Sequence, residues 1–267
     1  MRVLIRGAGD LASGIGWRLH RCGFQVAMTD LERPTAVRWM AAFCPALWLG
    51  AWTVEGVTAR RCADLPQAVA AWGAGEIPVF ADPDGTCRSL LKPDVVVDAI
   101  LAKRNLGTAI TDALLVIGIG PGFCAGEDCH MVIETKRGHT LGRVIETGTA
   151  IPNTGVPGDI GGYTVERVLR TPCGGDFVPL REIGDAVRAG ETLATVAGQP
   201  VRTEISGVLR GILPAGTRVP GPGFKAGDVD PRGNREHCFT ISDKALSVAG
   251  GVLEAILRTQ AEEHRKH

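Results

Sequence analysis

The chain holds a single tyrosine, and aromatic residues make up only 5% of it. That tyrosine, Tyr163, has Arg167 four positions on, so the Tyr-x-x-x-Lys pair of many hydride-transfer enzymes is missing. Charge of one sign is missing too, since 29 Lys and Arg balance 29 Asp and Glu. Without a basic stripe, no nucleic-acid partner is expected. No apolar run approaches the ~20 residues needed to cross a bilayer, so no membrane span is expected. The apolar run near the N-terminus covers only residues 3–5, too short for the core of a secretory signal. A cytoplasmic protein is therefore expected, with its eight cysteines as reduced thiols. No CxxC pair occurs. Cys124 and Cys129 are the close pair, and Val132 stands where a plant-type iron–sulfur pattern needs its third cysteine, so no metal site is expected.

Glycine, in contrast, is plentiful, with 36 in 267 residues. The first cluster, Gly7-Ala8-Gly9-Asp10-Leu11-Ala12, follows the apolar run Val3-Leu4-Ile5 and opens a helical pattern through Trp17 and Leu19. This order fits a dinucleotide fingerprint with alanine in third place. The first glycine makes the turn, the second lets backbone approach a pyrophosphate, and the small third residue lets helix pack on strand. A second strand, residues 25–29, ends at Asp30, at about the spacing of a ribose 2′-hydroxyl acceptor. The competing reading is a plain glycine turn between strand and helix.

Further along, Pro34 is placed to start a short amphipathic helix through Ala36, Val37, Met40, Ala41 and Cys44. Residues 53–62 read as a hairpin around Gly56, and Asp64 caps the next helix. Val95-Val96-Val97-Asp98 and residues 113–119 read as central parallel strands, apolar on both faces. Strands alternating with short helices predict an α/β fold, a Rossmann-like parallel sheet over residues 1–175. From about residue 176 to 235 the pattern becomes short β runs broken by glycine. Two half-motifs, around Gly184 to Leu193 and Ile205 to Gly211, are similar to those of a lipoyl/biotinyl-type barrel sandwich. Carrier modules of that type place a lysine between the halves. Here the segment is Val201-Arg202-Thr203-Glu204, which predicts the fold without a covalent prosthetic group. Residues 236–267 are expected to form a C-terminal helix, capped by Ser242 or Asp243, that returns to the first domain.

Ligands of open parallel sheets bind outside the carboxyl ends of the strands. There Asp98 is followed by Lys103-Arg104-Asn105, either a structural Asp98–Lys103 ion pair or part of a phosphate-binding site. The stretch from Gly118 to His130 offers Cys124 and Cys129 as nucleophiles with His130 or His139 as base, or else simply small buried thiols. Glu134-Thr-Lys136-Arg137-Gly-His139 is a plausible crevice wall. A third glycine-rich loop, Asn153 to Gly162, is read as leading into a helix over residues 163–170 that could take a second phosphate.

Gly7-Ala-Gly-Asp-Leu-Ala-Ser-Gly14, Val97-Asp98-Ala-Ile-Leu-Ala-Lys103-Arg-Asn105, Val132-Ile-Glu134-Thr-Lys-Arg137-Gly-His139 and the Asn153 to Gly162 loop resemble the YqeB-like family of the selenium-dependent molybdenum hydroxylase system. The resemblance covers nearly the whole chain. It implies a protein that matures such a hydroxylase or handles its cofactor, with the hydroxylase apoprotein as partner. Gly7, Gly9, Asp10, Leu11 and Asp30 would hold a nucleotide-bearing small molecule, while Asp98, Lys103, Arg137 and His139 line the crevice. Molybdopterin cytosine dinucleotide and NAD(P) are the candidate cofactors. An NAD(P)-dependent oxidoreductase and a non-catalytic adaptor for the hydroxylase are the alternatives, and a homo-oligomer is compatible with all three.

Overall fold

The computed structural model describes residues 1–266, which divide into two compact units. The first comprises Met1–Pro34, Ala42–Thr154 and the chain from Ile241 onward; the second comprises Thr35–Ala41 and Gly155–Thr240. No helix among the described residues is long and apolar enough to cross a membrane.

The first unit is an α/β structure. Its strands are β1 (Arg2–Arg6), β2 (Gln25–Asp30), β3 (Ala51–Val54), β4 (Val57–Arg61), β5 (Ile77–Ala81), β6 (Val95–Asp98), β7 (Leu115–Ile119), β8 (Cys124–Ala125), β9 (Met131–Ile133), β10 (Val144–Ile145) and β11 (Gly148–Thr149). Nine of them form one mixed sheet in the order β10-β9-β7-β6-β1-β2-β5-β4-β3. The seven inner strands are parallel, and β3 and β10 close the edges antiparallel. Strands β6 and β7 are buried along their whole length, which is why, apart from Asp98 and Gly118, they are built of Val, Leu and Ile. The helices are α1 (Asp10–Arg21), α2 (Ala46–Leu49), α3 (Leu65–Gly73), α4 (Arg88–Leu91) and α5 (Asp243–Lys266).

Helix α5 packs on α1, and small residues set how closely. A Cβ on Gly14 would lie 2.7 Å from the Ala245 Cβ, and one on Gly251 would run into the Gly142 carbonyl. Glycine inside a helix costs about 1 kcal/mol relative to alanine. Close approach of backbone to backbone offsets that cost here.

The helix expected over residues 36–44 is not formed. A 3₁₀ turn, Trp39–Ala41, and α2 stand there instead. Tertiary partners have taken the backbone groups that a helix would use. Val37 carbonyl accepts from Ile212 N–H at 2.8 Å, and Cys44 N–H donates to the Ala8 carbonyl at 3.0 Å. Both bonds lie within a single unit, the first in the second unit and the other in the first.

The second unit is all β, with β12 (Val168–Arg170), β13 (Gly175–Pro179), β14 (Ala186–Val187), β15 (Thr192–Val196), β16 (Gln199–Arg202), β17 (Gly207–Ile212), β18 (Arg218–Val219) and β19 (Lys225–Asp230). Among the described residues these make two four-stranded antiparallel sheets, β12-β19-β17-β14 and β16-β15-β13-β18, rather than a closed barrel. Phe177, Leu193, Leu209, Ile212 and Val229 centre its core, with Val37 and Trp39 packed against them. No helix follows the third glycine-rich loop. Tyr163 bridges to Ile160, and residues 164–167 are bends and turns that lead into β12, so no helix start is available there for a phosphate. Arg167 instead holds that loop through the Gly158 carbonyl, at 3.3 Å from Nε and 3.2 Å from Nη2, and pairs with buried Asp228.

Candidate functional site

The direction of the chain reverses between β1 and β6. From β1 it moves outward through β2, and from β5 it returns to lay β6 on the other side of β1. A crevice opens at such a point, outside the carboxyl ends of the strands. The loops that follow β1, β2, β5, β6 and β7 meet at this edge.

The turn at residues 7–9 is set by its neighbours. Gly7 has φ +106°, and a Cβ there would lie 2.7 Å from the Ala99 carbonyl oxygen, so only glycine fits. Its N–H donates to the Thr29 carbonyl at 2.7 Å. Ala8 N–H donates to Asp30 Oδ2 at 2.8 Å, and Leu31 N–H donates to Oδ1 at 2.8 Å. Ser13 Oγ closes the other side, donating to the Ala8 carbonyl at 3.0 Å and accepting from Phe43 N–H at 2.7 Å. Asp30 is thereby fixed at the end of β2, and burial pushes its carboxyl above the usual value against the opposing pull of the two amides. Each carboxylate oxygen keeps a second lone pair for a hydroxyl. Beside it Cys44 is fully buried, and burial, followed by the Asp30 charge, holds its thiol well above the ordinary value. Gly9 and Asp10 stay half exposed, while Leu11 is buried. Asp10 lies in the first turn of α1, where an acid complements the helix dipole.

Asp98 does not pair with Lys103. Its partner is Arg6, the last residue of β1, with Nη1 3.4 Å from Oδ2 and both side chains buried. Thr108 Oγ1 donates to the same carboxylate oxygen at 2.6 Å, and Ile100 N–H donates to the other at 3.1 Å. Arg6 also reaches Thr108, the Pro83 carbonyl and the Leu106 carbonyl. Asn105 then carries the network outward, donating to the Thr108 carbonyl at 2.7 Å and to Asp128 Oδ1 at 3.2 Å. Asp128 Oδ2 accepts from Cys124 N–H at 2.8 Å. One chain of polar contacts therefore joins the loops after β6 and β7. Arg6 and Thr108 are not singled out by sequence reasoning. The available signal is a lone arginine ending an apolar strand, which needs a buried acid to meet it.

Of the two readings of Cys124 and Cys129, their surroundings favour inert thiols over nucleophiles. A reactive thiolate needs positive neighbours. Cys124 has Glu127 and Asp128, and these add to burial in pushing its thiol up. Cys129 is buried, and burial moves its thiol up to about 11. His130 is not poised as a base toward them, because its Nδ1 accepts from Val116 N–H at 3.0 Å and burial lowers its pKa. We expect iodoacetamide at pH 8, followed by site-resolved mass spectrometry, to label Cys22, the exposed thiol, well before Cys124 and Cys129. Faster labelling of either loop cysteine would overturn this reading of their environment.

Arg137 makes a fork to Asp243 of α5, at 2.6 and 2.7 Å, while His139 and Lys103 are exposed. Glu134 is buried and accepts from the amides of Thr135, Lys136 and Ile151 at 2.7, 2.7 and 2.8 Å, so it orders the loop after β9. Among the described residues, no three His, Cys, Asp or Glu side chains gather as a metal-holding set. A shallow cavity lined by Met1, Asp94, Leu114 and Gln260 lies at the opposite, amino edge of the sheet, away from all these groups.

No family model matches the chain. A crystal structure of an aspartoacylase family protein from Mesorhizobium loti aligns with 86% of this chain and 85% of that chain, at 16% identity and a TM-score of 0.28, too slight a likeness to bear on fold or function. The chain is similar to the uncharacterized protein YqeB of Escherichia coli (strain K12), 48% identical over 255 residues that make up 96% of this chain and 47% of that protein, and so spans about half the length of the curated relative it matches.

Proposed function

We propose that the first unit binds a nucleotide-bearing ligand at the carboxyl edge between β1 and β6. The observation that supports it is the turn at residues 7–9, held at the reversal of strand order with Asp30 fixed beside it. In this reading the sheet is of Rossmann type and the second unit of lipoyl/biotinyl barrel-sandwich type. Asp30 accepts a ribose hydroxyl, and the half-exposed backbone at Gly9 lies along a pyrophosphate. These residues fit the ribose and phosphate parts of such a molecule.

The resemblance of the four motifs to the YqeB-like family supports a biological setting. In that setting the chain matures a selenium-dependent molybdenum hydroxylase or hands it a cofactor such as molybdopterin cytosine dinucleotide, with the hydroxylase apoprotein as partner. The engagement of Arg137 by Asp243 and the raised thiols of Cys124 and Cys129 favour ligand carriage over group-transfer chemistry at this edge. A thermal-shift series with NAD, NADP, CTP and molybdopterin cytosine dinucleotide tests the reading. At 100 times its dissociation constant, a ligand adds about 2.7 kcal/mol. One of the four should raise the melting temperature. If none does, while the chain captures hydroxylase apoprotein, the adaptor reading takes its place.

A further inference from the structure

Among the described residues, five that are not glycine have positive φ: Glu55, Lys92, Leu101, Lys103 and Ala197. Three of these are explained locally. Glu55 and Ala197 each precede a glycine in the two-residue turn of a hairpin, where positive φ matches the twist of the strands. Lys92 terminates α4 in the left-handed conformation common at helix ends. Leu101, at +62°, and Lys103, at +61°, have no such reason. A bulky side chain at positive φ is an outlier that surrounding structure has to enforce.

The enforcement is visible at both ends of the loop. Asp98 holds Ile100 N–H, and Asn105 holds Thr108 through Oδ1 and Nδ2. Behind the loop, a Cβ on Gly122 would lie 2.6 Å from Arg104 N, so only glycine lets the chain pass there. Between the two left-handed residues, Ala102 has negative φ. Alternating signs turn successive N–H groups toward one side, which makes an anion-binding concavity. No protein group among the described residues accepts from the N–H of Leu101, Ala102 or Lys103. Lys103 and Arg104 are both exposed at this loop and add two positive charges. The loop also touches the glycine turn, since the Gly7 Cβ position lies 3.2 Å from Ile100 N.

We infer that the backbone of residues 101–103, with Lys103 and Arg104, is an oxyanion cradle of the phosphate type. It deepens the nucleotide reading, on which it rests, by giving a second phosphate its place after β6.

The experiment is a titration of the full chain with inorganic pyrophosphate at constant ionic strength, followed through backbone amide resonances. The amides of Leu101, Ala102 and Lys103 should move downfield and saturate. The K103Q/R104Q double variant should weaken that binding about tenfold while the same amides still move. If those amides stay in place while Gly9 and Leu11 move, this inference fails and the nucleotide reading stands. If affinity falls in the double variant with no amide response at the loop, plain side-chain attraction replaces the cradle. If neither set responds to pyrophosphate or to any of the four nucleotides, both readings fail.

Discussion

Asp98→Ala is expected to lower the unfolding free energy by about 3–5 kcal/mol, a large part of the stability of a domain of this kind. The reason is the partner left behind. Arg6 is only 4% exposed, and without the carboxylate its charge would be answered by two carbonyls and the Thr108 hydroxyl. Asp98→Asn keeps one acceptor oxygen, for Ile100 N–H, and puts an NH2 donor where Thr108 now donates. Thr108 then has to turn its hydroxyl and accept, and a smaller loss of about 1–3 kcal/mol is expected. Replacing both partners, as in R6M/D98V, should recover much of the loss, because a buried pair exchanged for apolar side chains is often close to neutral. Urea unfolding of wild type, R6M, D98V and R6M/D98V closes the cycle and gives the coupling energy directly. A cost under 1 kcal/mol for Asp98→Ala would mean that water reaches Arg6 and that the pair does not hold the strand ends together.

The second large effect separates the two glycines of the turn. Gly7→Ala should cost about 3 kcal/mol or more, since φ is +106° and the new methyl would press on the Ala99 backbone at 2.7 Å, where no rotamer can yield. Gly9→Ala should cost less than about 1 kcal/mol, because φ −76° and ψ −170° are ordinary extended values. Binding should rank them differently. The added methyl at residue 9 stands where pyrophosphate backbone contact is proposed, so the nucleotide thermal shift should vanish in a protein that is otherwise stable. A Gly9→Ala protein with the wild-type shift would move the ligand off this turn.

How much of this was legible in the sequence depends on the range of the interaction. Strands β1, β6 and β7 are readable because burial on both faces demands runs of Val, Leu and Ile. The glycine turn is readable because its parts are consecutive. The Arg6–Asp98 pair joins residues 92 apart, and local spacing instead offers the nearer Lys103. Lys103 is not available, since its left-handed backbone keeps it in an exposed loop. The helix expected over residues 36–44 fails for a similar reason: apolar residues at helical spacing serve two cores. Val37 and Trp39 pack in the second unit, while Phe43 and Cys44 are buried in the first. The cysteine loop leaves its two readings open in sequence. In the structure burial, then Glu127 and Asp128, raise the Cys124 thiol and decide between them.

The packing of α5 on α1 has a consequence for how the protein is made. The two helices are separated by roughly 220 residues of chain. At ~5–20 residues per second, synthesis of that interval takes on the order of 10–45 s. Throughout that time the Gly14 face of α1 has no Ala245 to cover it, and the nascent sheet stands with one apolar surface open. Ribosome-bound chains truncated just before Ser242 should therefore recruit trigger-factor-type holdases and be cut readily by protease. Emergence of α5 ends that vulnerable interval, so a chain cut before Ser242 loses far more than one surface helix, since Ala245, Val248, Ala249 and Val252 are fully buried.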